Sequence, residues 1–175
     1  MILRSGYVVV LGLGMLMISS CDEPKPKKQN NALSKKELLN NNRKSVRVES
    51  DQIDLYAKRR GWEIEKTGTG LRYFVYEKKN KNQYPKEDNT VFVRYAVSLI
   101  NGKEIYRSSN EEPASFVVGH DDVESGLQEG IKYMSVGDKA ILIIPAHLAH
   151  GYTGDFNKIP RSSTVIFDIE LLEIK

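Results

Sequence analysis

The sequence predicts an α+β fold: an antiparallel sheet of five or six strands, one short helix, and a helical neck ahead of them. Three observations carry this. From Trp62 onward apolar and polar residues alternate with period two, as in a half-buried strand. Asn101-Gly102, flanked by β-formers, is a hairpin signal. Val123, Leu127 and Ile131 recur at spacing four, a single apolar helical stripe among strands.

The elements follow in order. Ser34-Lys-Lys-Glu37 has capping-box spacing ahead of Leu38 and Leu39, so a helix starts there. Asn40 to Asn42 weaken its middle, and Ser50 is a second N-cap candidate with Asp51 and Asp54 after it. Lys58, Arg59 and Arg60 suit a last turn, and Gly61 suits the position just beyond it. One helix or two over 34–60 fits equally well. Ile53, Tyr56 and Ala57 share a face, which therefore packs on something.

Trp62, Ile64 and Lys66 alternate with Glu63 and Glu65, Thr67-Gly-Thr-Gly70 is a turn, and Leu71 to Tyr76 reads as a strand, with a polar loop from Glu77 to Asn89. Thr90 to Ile100 and Lys103 to Tyr106 form the hairpin, and Ser115 to Val118 is another short strand. After the helix at Val123 to Tyr133, Ala140 to Pro145 and Thr164 to Ile174 close the chain as strands. Between them Ala146 to Ser163 is a long loop, a length usually associated with function. No internal repeat is evident.

Composition narrows the function classes. The 175 residues include 26 basic and 23 acidic side chains, a net charge of +3, which makes no strong case for nucleic-acid binding. One cysteine excludes an internal disulfide framework and any cysteine-based zinc or iron–sulfur cage. His147 and His150, with Asp155 nearby, permit a metal site, but a loop pair without a third strong ligand is more simply solvated. Gly12-Leu-Gly14 lacks the strand and third glycine of a phosphate loop.

The cysteine's position is more informative than its count. Met1 to Ser20 carries one charge, Arg4, and Tyr7 to Ile18 is uncharged and mostly apolar. That stretch is too short to span a bilayer of ~30 Å as a helix and reads as a secretory leader. Ile18-Ser19-Ser20-Cys21 resembles the bacterial lipoprotein signal, in which the cysteine is acylated and the leader is cut before it. The expected organisation is a lipoprotein signal peptide at 1–20, a flexible tether at 21–33, a helical neck at 34–60 and a catalytic-type domain at 61–175. Asp22 to Asn31, polar with Pro24 and Pro26, suits the tether.

From about Tyr95 to Lys175 the chain resembles the FKBP class of peptidyl-prolyl cis–trans isomerases. The carriers are Val93-Arg-Tyr95, Leu99 to Ile105, Val123-Glu-Ser-Gly-Leu-Gln-Glu-Gly130, Met134-Ser-Val-Gly137, Ile144-Pro145, Ala149-His-Gly-Tyr-Thr-Gly154, Ile159-Pro160 and Val165 to Leu172. Thr67 to Tyr76 looks like the strand before the core in bacterial envelope FKBPs. With the lipoprotein signal and the basic tether, the whole resembles the gliding-motility-associated lipoprotein isomerases of Bacteroidetes.

The resemblance implies an FKBP-like fold, a bent antiparallel sheet wrapped around one short helix, and an isomerase that needs no cofactor or metal. Its partners would be proline-containing or unfolded polypeptides, and the membrane through lipidated Cys21. Its place would be the cell envelope, facing the periplasm, with the outer membrane favoured. Carried over position by position, the pocket would use Tyr95, Phe116 and Phe167 as aromatic walls, and Ile105 and Tyr106 at the hairpin's return. Val123 and Glu124 would lie at the helix entrance, where the backbone N–H at Glu124 donates to substrate. Leu127 would form the floor, and His150 and Ile159 would come from the long loop.

Several positions depart from the family pattern. The floor is often tryptophan, the Ile105 position phenylalanine, the His150 position tyrosine and the Glu124 position aliphatic. An aspartate common at the Tyr106 position is missing. These departures predict a smaller aromatic surface. They also keep open a binding module without useful catalysis, or a structural part of an envelope machine. The asparagine-interrupted neck favours a monomer over a homodimer. Tyr152 and Phe156 are rim aromatics or loop packing.

Overall fold

The computed structural model describes residues 33–175 except 110 and 121. The leader, Cys21 and all of the tether but its last residue lie outside the described residues. Ser34–Lys175 form one compact unit.

Helix α1, Lys35–Arg59, is one uninterrupted helix. Ser34 caps it: its hydroxyl accepts from the Glu37 N–H at 3.3 Å, and the Glu37 carboxylate accepts from the Ser34 N–H at 2.8 Å. Asparagines cost a helix only about 0.7 kcal/mol each, so three of them weaken it without breaking it. Ser50 does not cap a second helix because its side chain has another partner, Arg72 (2.6 Å). Gly61 at φ +68 ends α1, and its N–H returns to the Lys58 carbonyl at 3.1 Å.

Seven antiparallel strands form a single sheet. They are β1 (Glu65–Lys66), β2 (Arg72–Glu77), β3 (Thr90–Leu99), β4 (Glu104–Arg107), β5 (Ala114–Val117), β6 (Lys139–Ile144) and β7 (Val165–Ile174). Their order is β1-β2-β6-β7-β3-β4, with β5 sharing the outer edge of β3 beside β4. The two-residue β1 is the addition to the six longer segments. Helix α2, Ser125–Gly130, runs into a 3₁₀ turn at Ile131–Tyr133.

The hairpin closes one residue wider than a two-residue turn. Leu99 and Lys103 pair across it (2.9 Å), leaving Ile100-Asn101-Gly102 as the loop, with Gly102 at φ +87. Ile100 packs instead against the apolar cluster beneath α1.

The central strands are buried on both faces. From β6, Ala140, Leu142 and Ile144 join the core on one side, with Val165, Phe167, Ile169 and Leu171 of β7 and Leu127 and Ile131 from α2 and its extension. Ile141, Ile143 and Ile166 point the other way, onto Ile53, Tyr56 and Ala57 of α1. This alternation is the strand period of two acting on an almost wholly apolar run. Glycines let α2 lie close to β6: a Cβ on Gly126 would meet Ile144 Cγ2 at 2.3 Å, and one on Gly130 would meet Leu142 Cδ1 at 2.6 Å.

Truncating Ile53, fully buried, removes a large side chain from the helix–sheet seam. Ile53→Ala is expected to lower unfolding free energy by about 2–5 kcal/mol, against about 0.5 kcal/mol or less for Leu55→Ala, whose side chain is mostly exposed. Urea denaturation of both variants checks this.

Candidate active site

A cavity of about 540 Å³ opens on the α2 side of the sheet. Cross-strand register builds its back wall. Val97 of β3 stands opposite Tyr106 on one side and Phe167 on the other, and Val93 stands opposite Ala114. Tyr95 and Phe167 meet at a tilt of 54°, ring centres 5.7 Å apart. Leu127 on α2 and Phe116 on β5, both buried, complete the apolar surface.

Eight of the expected residues therefore converge: Tyr95, Tyr106, Phe116, Val123, Glu124, Leu127, His150 and Phe167 all line this cavity. Ile105 and Ile159 do not line it. Both are buried in the adjoining core. The pairing shifts between Val97 and Ser98, so Ile105 is an extra residue on β4, and it and Tyr106 both turn to the core side. Ile159 gives its N–H to Asp155 at 2.7 Å and so helps fold the loop.

The sequence names Asp155 only beside a possible His147 and His150 metal site, whereas the structure places it in the cavity lining against Tyr106. Its carboxylate accepts a hydrogen bond from the Tyr106 hydroxyl, and from the amides of Asn157 (2.9 Å) and Ile159 (2.7 Å). A carboxylate thus faces Tyr106, but it comes from the loop rather than from the Tyr106 position. Asp155 and Tyr106 are 49 residues apart, beyond any local pattern. Partial burial pushes the Asp155 carboxyl up, but the Tyr106 hydroxyl, the two amides and the nearby His150 outweigh this and hold it at about 2. The same hydrogen bond raises the Tyr106 phenol.

His150 Nε2 lies 3.1 Å from Glu124 Oε1 across the cavity mouth. His147 turns away, to the Thr69 carbonyl at 3.0 Å. Among the described residues no three or more His, Cys, Asp or Glu side chains are grouped to hold a metal ion. Tyr152 and Phe156 are outside the cavity lining. Tyr152 donates to Asn42 of α1 at 2.9 Å, and Phe156 is almost fully exposed.

The loop is held from behind by α1. Glu49 Oε1 accepts from the Ala146 N–H at 2.8 Å and from the Thr164 hydroxyl at 2.7 Å, so one carboxylate ties both stems of the 146–163 loop. Lys158 bonds the Ile105 carbonyl at 3.0 Å and closes the loop onto β4.

A bent antiparallel sheet with an apolar bowl over a short helix defines the class, and comparison with known proteins identifies it. The chain belongs to the FKBP-type peptidyl-prolyl cis-trans isomerase family, whose family model matches residues 81–172. It is 42% identical over 121 residues to the FKBP-type peptidyl-prolyl cis-trans isomerase FkpA of Escherichia coli K12, covering 69% of this chain and 43% of that protein. The chain thus spans less than half the length of that relative. Against peptidyl-prolyl cis-trans isomerase FKBP1A of Xenopus laevis it is 40% identical over 93 residues, 53% of this chain and 86% of that one. The crystal structure of FkpA from Escherichia coli superposes with a TM-score of 0.62 at 33% identity, covering 82% of this chain and 74% of that chain.

Asp155 makes a pH prediction. Its folded-state pKa is depressed, so its contribution to stability is present above its unfolded value of ~3.9 and is lost as pH falls toward 2. The difference in urea midpoint between wild type and Asp155→Asn is expected to be constant near neutrality and to shrink below about pH 4.

Proposed function

We propose that this chain is a peptidyl-prolyl cis–trans isomerase of the FKBP type, anchored by lipid in a bacterial envelope and assisting the folding of exported proteins. The observation that carries the catalytic part is the convergence of Tyr95, Phe116, Leu127 and Phe167 on one apolar bowl in a member of this family.

Rotation about a peptide bond faces a barrier of ~18–20 kcal/mol, because twisting breaks amide resonance. Xaa-Pro bonds populate both isomers, so their exchange is slow but needs little driving force. The twisted amide is less dipolar than the planar one. A water-poor apolar bowl therefore disfavours the planar ground state more than the twisted form, without a nucleophile, metal or cofactor. Leu127 offers the proline ring an apolar floor with less area than an aromatic one. The Glu124 N–H, at the entrance of α2, would hold the substrate backbone, and Tyr106 would be oriented by Asp155. These are the site roles we assign, with Val123 and His150 at the rim and Ile105 and Ile159 as support.

The leader and Cys21 support the location. On this reading 1–20 is removed, Cys21 carries the acyl chains, 21–33 is the tether, and the protein faces the periplasm, with the outer membrane favoured. Ile53, Tyr56 and Ala57 of α1 are taken up by the chain's own sheet, which favours a monomer, whereas Leu38, Leu39, Val46, Val48 and Leu55 of the same helix stay exposed.

Two measurements test this. NMR exchange or protease-coupled assay of the purified full chain on Xaa-Pro peptides is expected to show acceleration, reduced at least about tenfold in Tyr95→Ala of unchanged circular dichroism. No acceleration at high protein concentration sinks the enzymatic reading and leaves a holding module, which suppression of client aggregation would reveal. Growth with a labelled fatty acid is expected to label the wild type and not Cys21→Ser. An unlabelled wild type refutes the anchor.

A further inference from the structure

We propose that the bowl selects prolines flanked by a cationic side chain, lysine or arginine, and that the Glu124 side chain makes the selection. This rests on the isomerase reading above, and it concerns which Xaa-Pro segments that site takes.

The cavity surface is mainly aromatic and aliphatic, yet two carboxylates face it, Glu124 and Asp155. They are not equivalent. Asp155 is fully engaged, with one oxygen on Tyr106 and the other on two backbone amides. Glu124 is the residue that precedes α2, but its side chain makes no cap to the helix. Among the described residues its one recorded partner is His150 Nε2. An imidazole offers one N–H there and, when unprotonated, no charge, whereas a carboxylate has several acceptor positions. Glu124 thus keeps acceptor capacity while its side chain is only 17% exposed.

The surrounding charges leave that capacity unanswered. Among the described residues no lysine or arginine lines the cavity or is recorded paired with Glu124, and Lys158 is engaged elsewhere. Its Nζ is held by the Ile105 carbonyl at 3.0 Å and lies 4.8 Å from the centre of the Tyr106 ring, on the β4 wall. A carboxylate beside apolar surface and partly withdrawn from water is costly until a cation or strong donor meets it. An ammonium or guanidinium next to the substrate proline supplies that partner, while the proline ring occupies the apolar floor. An arginine adds the option of a two-pronged hydrogen bond. An acidic side chain in the same place meets Glu124 and Asp155 as like charges and is disfavoured.

The test uses the purified full chain and peptides in which lysine, leucine or glutamate stands immediately before or after proline. Turnover and binding are both followed by NMR at fixed ionic strength. The expected result is a kcat/KM for the better lysine peptide about tenfold above that of its glutamate counterpart. Glu124→Gln, which keeps the side chain's size and the backbone N–H, is expected to bring that ratio to within about twofold of unity. Glu124→Lys is expected to invert it. An equal ratio in wild type and Glu124→Gln overturns the proposal, as does a loss shared equally by all three peptides. Preferential binding of lysine peptides without turnover overturns the isomerase reading and keeps the selection. Turnover without charge preference does the reverse.

Discussion

Arg72 projects from β2 into the seam between the sheet and α1, where it is 1% exposed. Its Nε donates to Asp54 at 3.0 Å, Nη1 to the Gly70 carbonyl at 2.6 Å, and Nη2 to the Ser50 hydroxyl at 2.6 Å. A guanidinium buried this far is tolerated only where its donors are met, and an orphaned one costs several kcal/mol. Ser50 and Asp54 lie one turn apart on the face that also carries Ile53 and Ala57. Arg72 therefore fixes both the rotation and the axial position of α1. Sliding the helix by a residue would unpair the charge and lift the apolar stripe from Ile141, Ile143 and Ile166 at once.

The register set there is transmitted to the bowl. Glu49 precedes Ser50, so a helix locked at Ser50 puts the Glu49 carboxylate between Ala146 and Thr164, where the long loop leaves β6 and enters β7. The loop then delivers His150 to Glu124 and Asp155 to Tyr106. A segment that carries no atom of the cavity lining thus determines where two of its walls stand. The sheet has a different job on each face: one side is packed shut by a helix, the other is left partly open around Leu127.

Local signals were legible where one residue type has one physical use. Ser34 with Glu37, Gly61 at a positive φ, and Leu127 with Ile131 in α2 and its 3₁₀ extension each found their place, whereas Val123, expected as the first residue of that helix, stands ahead of its start at Ser125. Ser50 misled because a serine that suits an N-cap also suits a guanidinium 22 residues away, and only the fold decides between them. The resemblance gave the aromatic walls because strand alternation carries them. It did not give Asp155, whose partner is 49 residues distant, or the extra residue at Ile105, which depends on a pairing shift between two strands. Glu49 reads in the sequence as an ordinary wet-face glutamate, and nothing local distinguishes it from its neighbours.

The seam beneath α1 also bears on how this chain is divided. Cutting at Gly61, where composition and periodicity change, separates a neck from a catalytic-type domain on paper. A fragment of 61–175 would instead present Ile141, Ile143 and Ile166 as a bare apolar plate beside a guanidinium without its counterion. Such a plate is sticky. Copies of the fragment would meet through it, and their stoichiometry would report on the cut rather than on the native chain.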